Sequence, residues 1–284
     1  MFLFPAWITF SILTGIISNI FNFQIRYILR GKDDSTVFGW LIALARFIAF
    51  SIIALLFDWR LIISIESFFI LFLIGITECI ALYLYMKMHV YNELSISAIL
   101  SRTRMIWTPV FAYLIIGEVL KPSDYIGIAI LFIGIAIVSA PKKLFFDKGG
   151  IYANSAAVVI ALNIVLFKLA QPFASSSVAL AAHSLPSIIL IPIIMNNARK
   201  RIKVNLKSKF GLKALTIILN LFAMYFFIEA IRAGEASKVN ALMQSMMIFS
   251  VLSGIIFLNE KTNIFKKLAG AAITLIGVLL LTLS

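Results

Sequence analysis

Residues 81–102, ALYLYMKMHVYNELSISAILSR, align without a gap with residues 223–244, AMYFFIEAIRAGEASKVNALMQ. The constant offset of 142 residues pairs identical residues of several types: Ala81 with Ala223, Tyr83 with Tyr225, Glu93 with Glu235, Ser95 with Ser237 and Leu100 with Leu242. Apolar residues often match by chance, whereas acidic and aromatic residues that coincide at one offset indicate an internal duplication.

The alignment extends beyond these 22 residues in both directions. The same offset pairs Glu118 with Glu260, and an offset of 143 pairs Gly127 with Gly270 and Gly134 with Gly277. Before the quoted stretch, an offset of 144 pairs Asn19 with Asn163 and Phe23 with Phe167. The duplication therefore covers nearly the whole chain.

The composition places both copies in a membrane. Of the 284 residues, 62% are hydrophobic and 13% are charged, against about 45–50% apolar and about 25% charged in soluble proteins. A helix needs about 20 apolar residues to cross the hydrocarbon layer. Ten such runs occur, at residues 3–28, 36–57, 67–87, 92–117, 122–140, 151–169, 174–195, 212–231, 236–258 and 264–283. The sequence thus predicts an all-α integral membrane protein with ten transmembrane helices.

Each copy of the duplication holds five of these helices. We expect one repeat at residues 1–140, a second at residues 151–284, and a connecting loop at residues 141–150. Because five is odd, the second copy enters the membrane from the opposite side, which makes the two repeats inverted. Inverted repeats are typical of secondary transporters, whose binding site lies near the middle of the membrane between the copies.

The loops carry an uneven charge. Odd-numbered loops hold 17 lysines and arginines and even-numbered loops hold 5. Because cytoplasmic loops are enriched in these residues, the count places the odd loops in the cytoplasm and both termini outside. The same bias accounts for the formal charge of +13 without a nucleic-acid partner.

The chain resembles the EamA-like family of drug/metabolite transporters. The resemblance is in a short "GE" loop before a glycine-containing helix, IIGEVLKPSDYIGIAILFIGIAIVS at residues 115–139, which recurs as FLNEKTNIFKKLAGAAITLIGVLLL at residues 257–281. It implies ten helices in two repeats, with the fourth and ninth helices lining a central cavity together with the first, third, sixth and eighth. It also implies cytoplasmic termini, which conflicts with the charge count.

Two arginines lie inside the fourth predicted helix. Arg102 aligns with Gln244, so both repeats place a polar group at the same depth, and we expect both in a shared cavity. Arg104 aligns with Met246 and lies about 200° around the helix from Arg102, which favours a structural role. The alternative for Arg102 is also structural, as an ion pair or a snorkelling side chain.

Further ionisable residues lie within the predicted spans. Glu78 aligns with Asn220, and a membrane carboxylate either pairs with a cation, here Arg46 or one of the fourth-helix arginines, or carries a proton. His183 is a second coupling candidate, although a lone histidine more often serves as a structural donor. Arg46, Arg102 and Arg104 outnumber Glu78 by two charges, and such a surplus favours a substrate with a carboxylate or phosphate.

The remaining matched residues are open to two interpretations each. Asn19 and Asn163 either bind substrate or join helices, and Tyr83 and Tyr225 either face substrate or pack against lipid and neighbouring helices. The four matched glycines favour close helix packing. Glu118 and Glu260, in loops, favour a structural or gating role.

The sequence therefore predicts a secondary transporter that moves a small metabolite, such as an amino acid or another organic anion or zwitterion, across the cytoplasmic membrane. The alternatives are an intramembrane or lipid-processing protein and a multidrug exporter. No nucleotide-binding loop, HExxH or GxSxG motif occurs, so we expect no enzyme activity. With two histidines and one cysteine we expect no metal site and no cofactor beyond a proton or substrate gradient. The expected partners are the lipid bilayer and the substrate, and a homo-oligomer has no support in the sequence.

Overall fold

The described part of the chain consists of helices joined by short connections. The computed structural model describes residues 5–30, 33–91, 101–139, 148–248 and 264–283, and within these ranges no β-strand occurs. The helices are α1 Ala6–Arg30, α2 Ser35–Phe57, α3 Ile65–Tyr91, α4 Arg104–Ile116, α5 Pro122–Ser139, α6 Lys148–Ala170, α7 Ser176–Ile194, α8 Ala198–Lys207, α9 Phe210–Ala233, α10 Ala236–Ser245 and α11 Ile264–Leu283.

Six of these helices, α1, α2, α3, α6, α7 and α9, are long and apolar enough to cross a membrane. Shorter apolar helices lie in α4, α5 and α11. At about 1.5 Å per residue, a 20-residue helix spans the roughly 30 Å of hydrocarbon. Large apolar side chains such as Phe57 and Ile63 project from the surface, as expected of a surface in contact with lipid. The protein is an all-helical, multi-pass membrane protein.

The predicted spans agree with these helices wherever the structure describes them. The fourth and ninth predicted spans are described only from residue 101 and up to residue 248, so the count of ten remains a prediction. Glu93, Glu260 and most of the predicted connecting loop also lie outside the described residues. One helix, α8, was not predicted, because its stretch ARKRIKVNLK is too polar to read as a span.

Helices from the two halves of the chain pack against one another. The first helix of the first half, α1, packs on α9, the third predicted span of the second half. In the same way α3, the third helix of the first half, packs on α6, the first helix of the second half. Likewise α2 packs on α7, and α5 packs on α11. Most of the core is therefore an interface between the halves, and neither half forms its core alone.

The glycines matched by the duplication lie where α5 crosses α11. A Cβ atom on Gly134 would lie 2.9 Å from the Gly270 carbonyl oxygen, and one on Gly127 would lie 3.3 Å from the Gly277 carbonyl oxygen. The order of contacts is antiparallel, because the earlier glycine of α5 meets the later glycine of α11. These positions permit close backbone approach, as the sequence indicated.

An ionic network attaches α8 to the start of α2. Asp34 caps α2 by accepting from the backbone N–H groups of Thr36 and Val37 at 3.1 and 3.2 Å. Its carboxylate also accepts from Arg201 Nε at 2.6 Å, while the neighbouring Asp33 pairs with Lys213 at 3.0 Å. Partial burial opposes ionisation of Asp34, but the Arg201 guanidinium and the backbone donors outweigh it and hold the pKa of Asp34 below its usual value.

Candidate functional site

A buried cluster of four polar side chains, the central cluster, joins α2, α3, α7 and α9. It consists of Arg46, Glu78, His183 and Asn220, one from each of these helices. Arg46 donates from Nη1 to Glu78 Oε1 at 2.5 Å and from Nε to Asn220 Oδ1 at 2.7 Å. Glu78 Oε2 lies 3.0 Å from His183 Nε2. The four residues lie on four different helices and at least 32 residues apart in the sequence, so the tertiary packing brings them together.

The contacts define the charges within this cluster. A carboxylate oxygen faces His183 Nε2, so this nitrogen carries a hydrogen and donates it. Its Nδ1 faces Arg46 Nη1 at 3.5 Å, and a guanidinium only donates, so Nδ1 presents its lone pair. The ring is therefore assigned as neutral, and Arg46 and Glu78 cancel one another's charge. A paired and hydrogen-bonded arrangement of this kind is the one in which buried charges are tolerated.

A second group, the arginine cluster, consists of Arg102, Arg104 and Gln244. Arg102 Nη1 donates to Gln244 Oε1, so two residues matched by the duplication contact each other directly. Three further donor atoms in this cluster, Nε of Arg102, Nε of Arg104 and Nε2 of Gln244, are buried and have no hydrogen-bond partner among the described residues. No carboxylate in the described ranges forms an ion pair with either arginine. Within the described residues, the cluster thus presents N–H donors without partners and excess positive charge.

Arg104 interacts with this group through its charge. The sequence predicts it about 200° around the helix from Arg102, and Thr103 between them has a helical backbone conformation, with φ −56° and ψ −18°. The two guanidinium groups interact electrostatically with each other and with Tyr85. Arg104 therefore adds to the positive potential at Arg102.

Tyr85 lies between the two clusters on α3. It is seven residues after Glu78, which places both on one face of the helix about 10 Å apart. The Tyr85 hydroxyl donates to Asn22 Oδ1 on α1, and the ring stacks edge-on against His89 with centroids 4.7 Å apart. The Tyr85 hydroxyl interacts electrostatically with Arg46 of the central cluster and with Arg102 and Arg104 of the arginine cluster.

Of the two asparagines predicted as possible binders, Asn163 joins two helices and Asn19 bonds within its own helix. Asn163 on α6 donates to the Ile74 carbonyl oxygen at 2.9 Å and to Thr77 Oγ1 at 2.8 Å, both on α3. Asn19 donates to the Gly15 carbonyl oxygen at 2.8 Å, within its own helix. Neither contacts a residue of the two clusters in the described hydrogen bonds.

The matched tyrosines lie away from the clusters. Tyr83 and Tyr225 are each 37% exposed, and the Lys87 ammonium lies 5.5 Å from the centre of the Tyr83 ring. The substrate and packing interpretations of these two tyrosines both stay predictions.

Glu118 stabilises a helix end. Its carboxylate accepts from Ser237 Oγ at 2.5 Å and from the backbone N–H groups of Ala236 and Ser237 at 2.8 and 3.1 Å. These groups form the N-terminus of α10, where a negative charge is favourable. The loop residue of one half thus caps a helix of the other half, which agrees with a structural role.

Several polar residues near the clusters were missed from the sequence. Asn240 on α10 donates to Thr108 Oγ1 at 2.9 Å, and its buried Oδ1 has no described partner. Asn22 accepts from Tyr85. At the offsets of 142 and 144 residues, both asparagines align with apolar residues of the other copy, so the duplication gives no sign of them. For Tyr85, its seven-residue spacing from Glu78 was the available signal.

An apolar groove lies in the described part of the chain. It has a volume of about 650 Å³, lies between α4 and α5, and is lined by Met105, Pro109, Tyr113, Tyr125, Phe132 and similar residues. It faces outward rather than towards the clusters. Among the described residues, no group of three or more His, Cys, Asp or Glu side chains could hold a metal ion.

These features define a multi-pass helical membrane protein built from two related halves with buried polar clusters between them. The chain belongs to the EamA-like transporter family, whose model matches residues 5–140 and again residues 147–283. It is similar to an uncharacterized transporter of Archaeoglobus fulgidus, at 22% identity over 192 residues, or 68% of this chain and 67% of that protein. A crystal structure matches 98% of this chain and 95% of its own at a TM-score of 0.71 and 13% identity, which shows a shared fold.

Proposed function

We propose that this protein is a secondary transporter that moves a small organic anion or zwitterion, such as an amino acid, across the cytoplasmic membrane by alternating access. Membership of a transporter family gives the class of protein. The observation that supports the substrate class is the set of unused donors in the arginine cluster. The transport cycle contains no catalytic step and no cofactor, and a proton or substrate gradient supplies its energy.

The contacts between matched residues support two inverted repeats of five helices, at residues 1–140 and 151–284, joined by residues 141–150. Residues related by a twofold axis can touch one another only near that axis. Arg102 contacts its match Gln244, while Glu78 and its match Asn220 both contact Arg46. Both clusters therefore lie near one pseudo-twofold axis, which is where inverted-repeat transporters bind their substrates.

The charge of the arginine cluster supports an anionic group on the substrate. A guanidinium presents a planar fork of donors that matches a carboxylate or a phosphate. Buried donors without partners cost about 1–3 kcal/mol each, more when charged. An anion that accepts from Arg102 and Gln244 and lies beside Arg104 removes that cost and offsets the excess positive charge.

The experiment is transport by purified protein in liposomes, with labelled glutamate, succinate, pyruvate and inorganic phosphate as probes. We expect exchange of at least one of these anions. Arg102→Gln should lower that exchange by about tenfold to a hundredfold, because a hydrogen bond to a charged group contributes about 1.5–3 kcal/mol.

The matched control is Arg199→Gln, which removes an exposed arginine of α8 far from the clusters. It should exchange at the wild-type rate, and both variants should be recovered in normal amounts. Equal exchange by Arg102→Gln and wild type would refute the assignment of Arg102, and exchange of none of the four probes would argue against the substrate class.

A further inference from the structure

We propose that His183, held between Glu78 and Arg46, binds the proton whose gradient drives transport. This inference rests on the proposed function and identifies its coupling ion. The central cluster binds the proton, and the arginine cluster binds the substrate.

The His183 ring has one nitrogen available for a proton. Nε2 already carries a hydrogen, which it donates to Glu78 Oε2 at 3.0 Å. Nδ1 presents its lone pair to Arg46 Nη1 at 3.5 Å. A proton arriving from water forms a bond to Nδ1, and only the hydrogen bond from Arg46 is broken. Protonation of Nδ1 and the Arg46–His183 contact therefore exclude one another.

The surroundings of His183 contain few other groups that titrate. Arg46 faces it from α2 and Glu78 from α3, and Cys79 follows Glu78 as a half-buried thiol. From α6 the neighbour is the Phe167 ring, with centroids 4.9 Å apart, and α9 contributes the uncharged Asn220 through Arg46. Among the described residues, Glu78 is thus the only acceptor that stabilises a charged imidazole here.

A bound proton changes the balance of forces between α2 and α7. Before protonation, Arg46 and Glu78 cancel, and the cluster is neutral. Afterwards, two cations with Nδ1 and Nη1 only 3.5 Å apart repel each other. Glu78 on α3 still pairs with both Arg46 and His183. The arrangement with α2 close to α7 therefore favours the neutral ring, and an arrangement with them further apart favours the charged ring.

Because protonation of Nδ1 and the Arg46–His183 contact exclude one another, proton binding is linked to the conformation of the protein. A proton alters an equilibrium between two conformations only if it binds one of them better. Here α2 comes from one half of the chain and α7 from the other, and they pack against each other along their length. Movement of α2 relative to α7 therefore changes proton affinity, and by reciprocity the proton changes the relative position of the two halves.

The test compares two transport measurements on the same proteoliposomes, again with glutamate, succinate, pyruvate and phosphate. The first is exchange at equal pH on both sides, and the second is accumulation under an imposed pH gradient. In wild type, the gradient should drive accumulation at least tenfold above equilibrium. His183→Gln should reduce the ratio of gradient-driven accumulation to exchange at least tenfold.

Ser184→Ala is the matched control, since it removes a buried hydroxyl from the next position of α7 that donates only to its own helix. Its ratio should equal that of wild type. If wild type exchanges a probe but does not respond to the gradient, or if His183→Gln keeps the full ratio, the proton assignment is wrong while the transporter proposal stands.

A second measurement needs no substrate and decides the case where no probe is exchanged. Protein with ¹⁵N-labelled histidine and His89→Gln gives the signals of His183 alone by NMR. We expect the neutral ring with hydrogen on Nε2 at about pH 8 and protonation of Nδ1 on acidification to about pH 5. A ring that stays neutral throughout, or that carries its hydrogen on Nδ1, would overturn the proposal.

Discussion

Gly75 sets the distance between α3 and α7, and replacing it with alanine should separate the two sides of the central cluster without removing a charge. A Cβ atom at this position would lie 2.5 Å from Pro186 Cγ and 3.0 Å from the Ala182 carbonyl oxygen. Favourable carbon–carbon contacts begin at about 3.5 Å, so the helices must part by about 1 Å. Ala182 and Pro186 lie on either side of His183 along the chain, and Gly75 lies one turn before Glu78.

This displacement is large enough to break the proton site. The distance between Glu78 Oε2 and His183 Nε2 should grow from 3.0 Å to about 4 Å, beyond hydrogen-bonding range. Overpacking costs about 1–3 kcal/mol, and a hydrogen bond to a charged group contributes about 1.5–3 kcal/mol. The free energy of unfolding should therefore fall by about 3 kcal/mol, and the ratio of gradient-driven accumulation to exchange should fall as in His183→Gln.

The matched control is Gly211→Ala on α9, where an added Cβ atom meets nothing within 4 Å. The same substitution should there raise the free energy of unfolding by about 0.5–1 kcal/mol, because alanine loses less backbone entropy than glycine in a helix. Unfolding is followed by tryptophan fluorescence during titration of detergent micelles with SDS. Equal effects of the two substitutions would refute the close approach of α3 and α7.

Four further predictions concern the ion pairs, a helix cap and the orientation of the chain. Glu78→Leu should cost about 3–5 kcal/mol in the same titration because it leaves Arg46 buried without a counter-charge, and adding Arg46→Met should restore most of that loss; additive losses would contradict the pairing. Asp34→Ala should cost about 1 kcal/mol more than Asp34→Asn, which keeps the helix cap. The pKa of Asp34 is lowered in the folded protein, so its pairing with Arg201 should persist above pH 3.8 and weaken only below that pH. The distance between spin labels on α2 and α8 reports this pairing. Alkaline phosphatase fused to the C-terminus should be active and a fused fluorescent protein dark, as the loop charges predict; the opposite pattern would place the termini in the cytoplasm.

Much of the fold could be predicted from the sequence because membrane helices leave strong local signals. The long apolar runs predicted the helices, since each run depends on residues close together in the chain. The repeated glycines predicted close helix packing but did not identify α5 and α11 as the helices that meet. The helix α8 could not be predicted, because its stretch has no apolar run and its Arg201 pairs with Asp34, which lies 167 residues earlier.

The site was predictable only where the duplication placed polar residues opposite one another. Arg102 with Gln244 and Glu78 with Asn220 were found in this way, and the pairing of Glu78 with Arg46 was one of the offered alternatives. The contact of His183 with Glu78 has no counterpart in the other copy. It depends on the close packing of α3 and α7, and this is a tertiary feature that the spacing of residues along the chain does not express.

The positions where the two halves differ follow from their place relative to the proposed pseudo-twofold axis. A residue far from this axis never meets its match, so both copies can keep the same side chain, as the tyrosines at 83 and 225 do. The glycines of α5 and α11 lie where a helix crosses its match, but they carry no charge, so both copies keep them as well. A residue on the axis contacts its own match, and two identical charges about 4 Å apart would repel by several kcal/mol in a protein interior. One copy must then carry the charge and the other a neutral hydrogen-bonding group. Arg102 with Gln244 has this form, since the contact joins an ion to an amide. Glu78 and its match Asn220 are also an ion and an amide, and they are joined through Arg46, which contacts both. The duplication is therefore expected to diverge at the centre of the molecule, and a charge matched by an amide marks residues near the proposed axis.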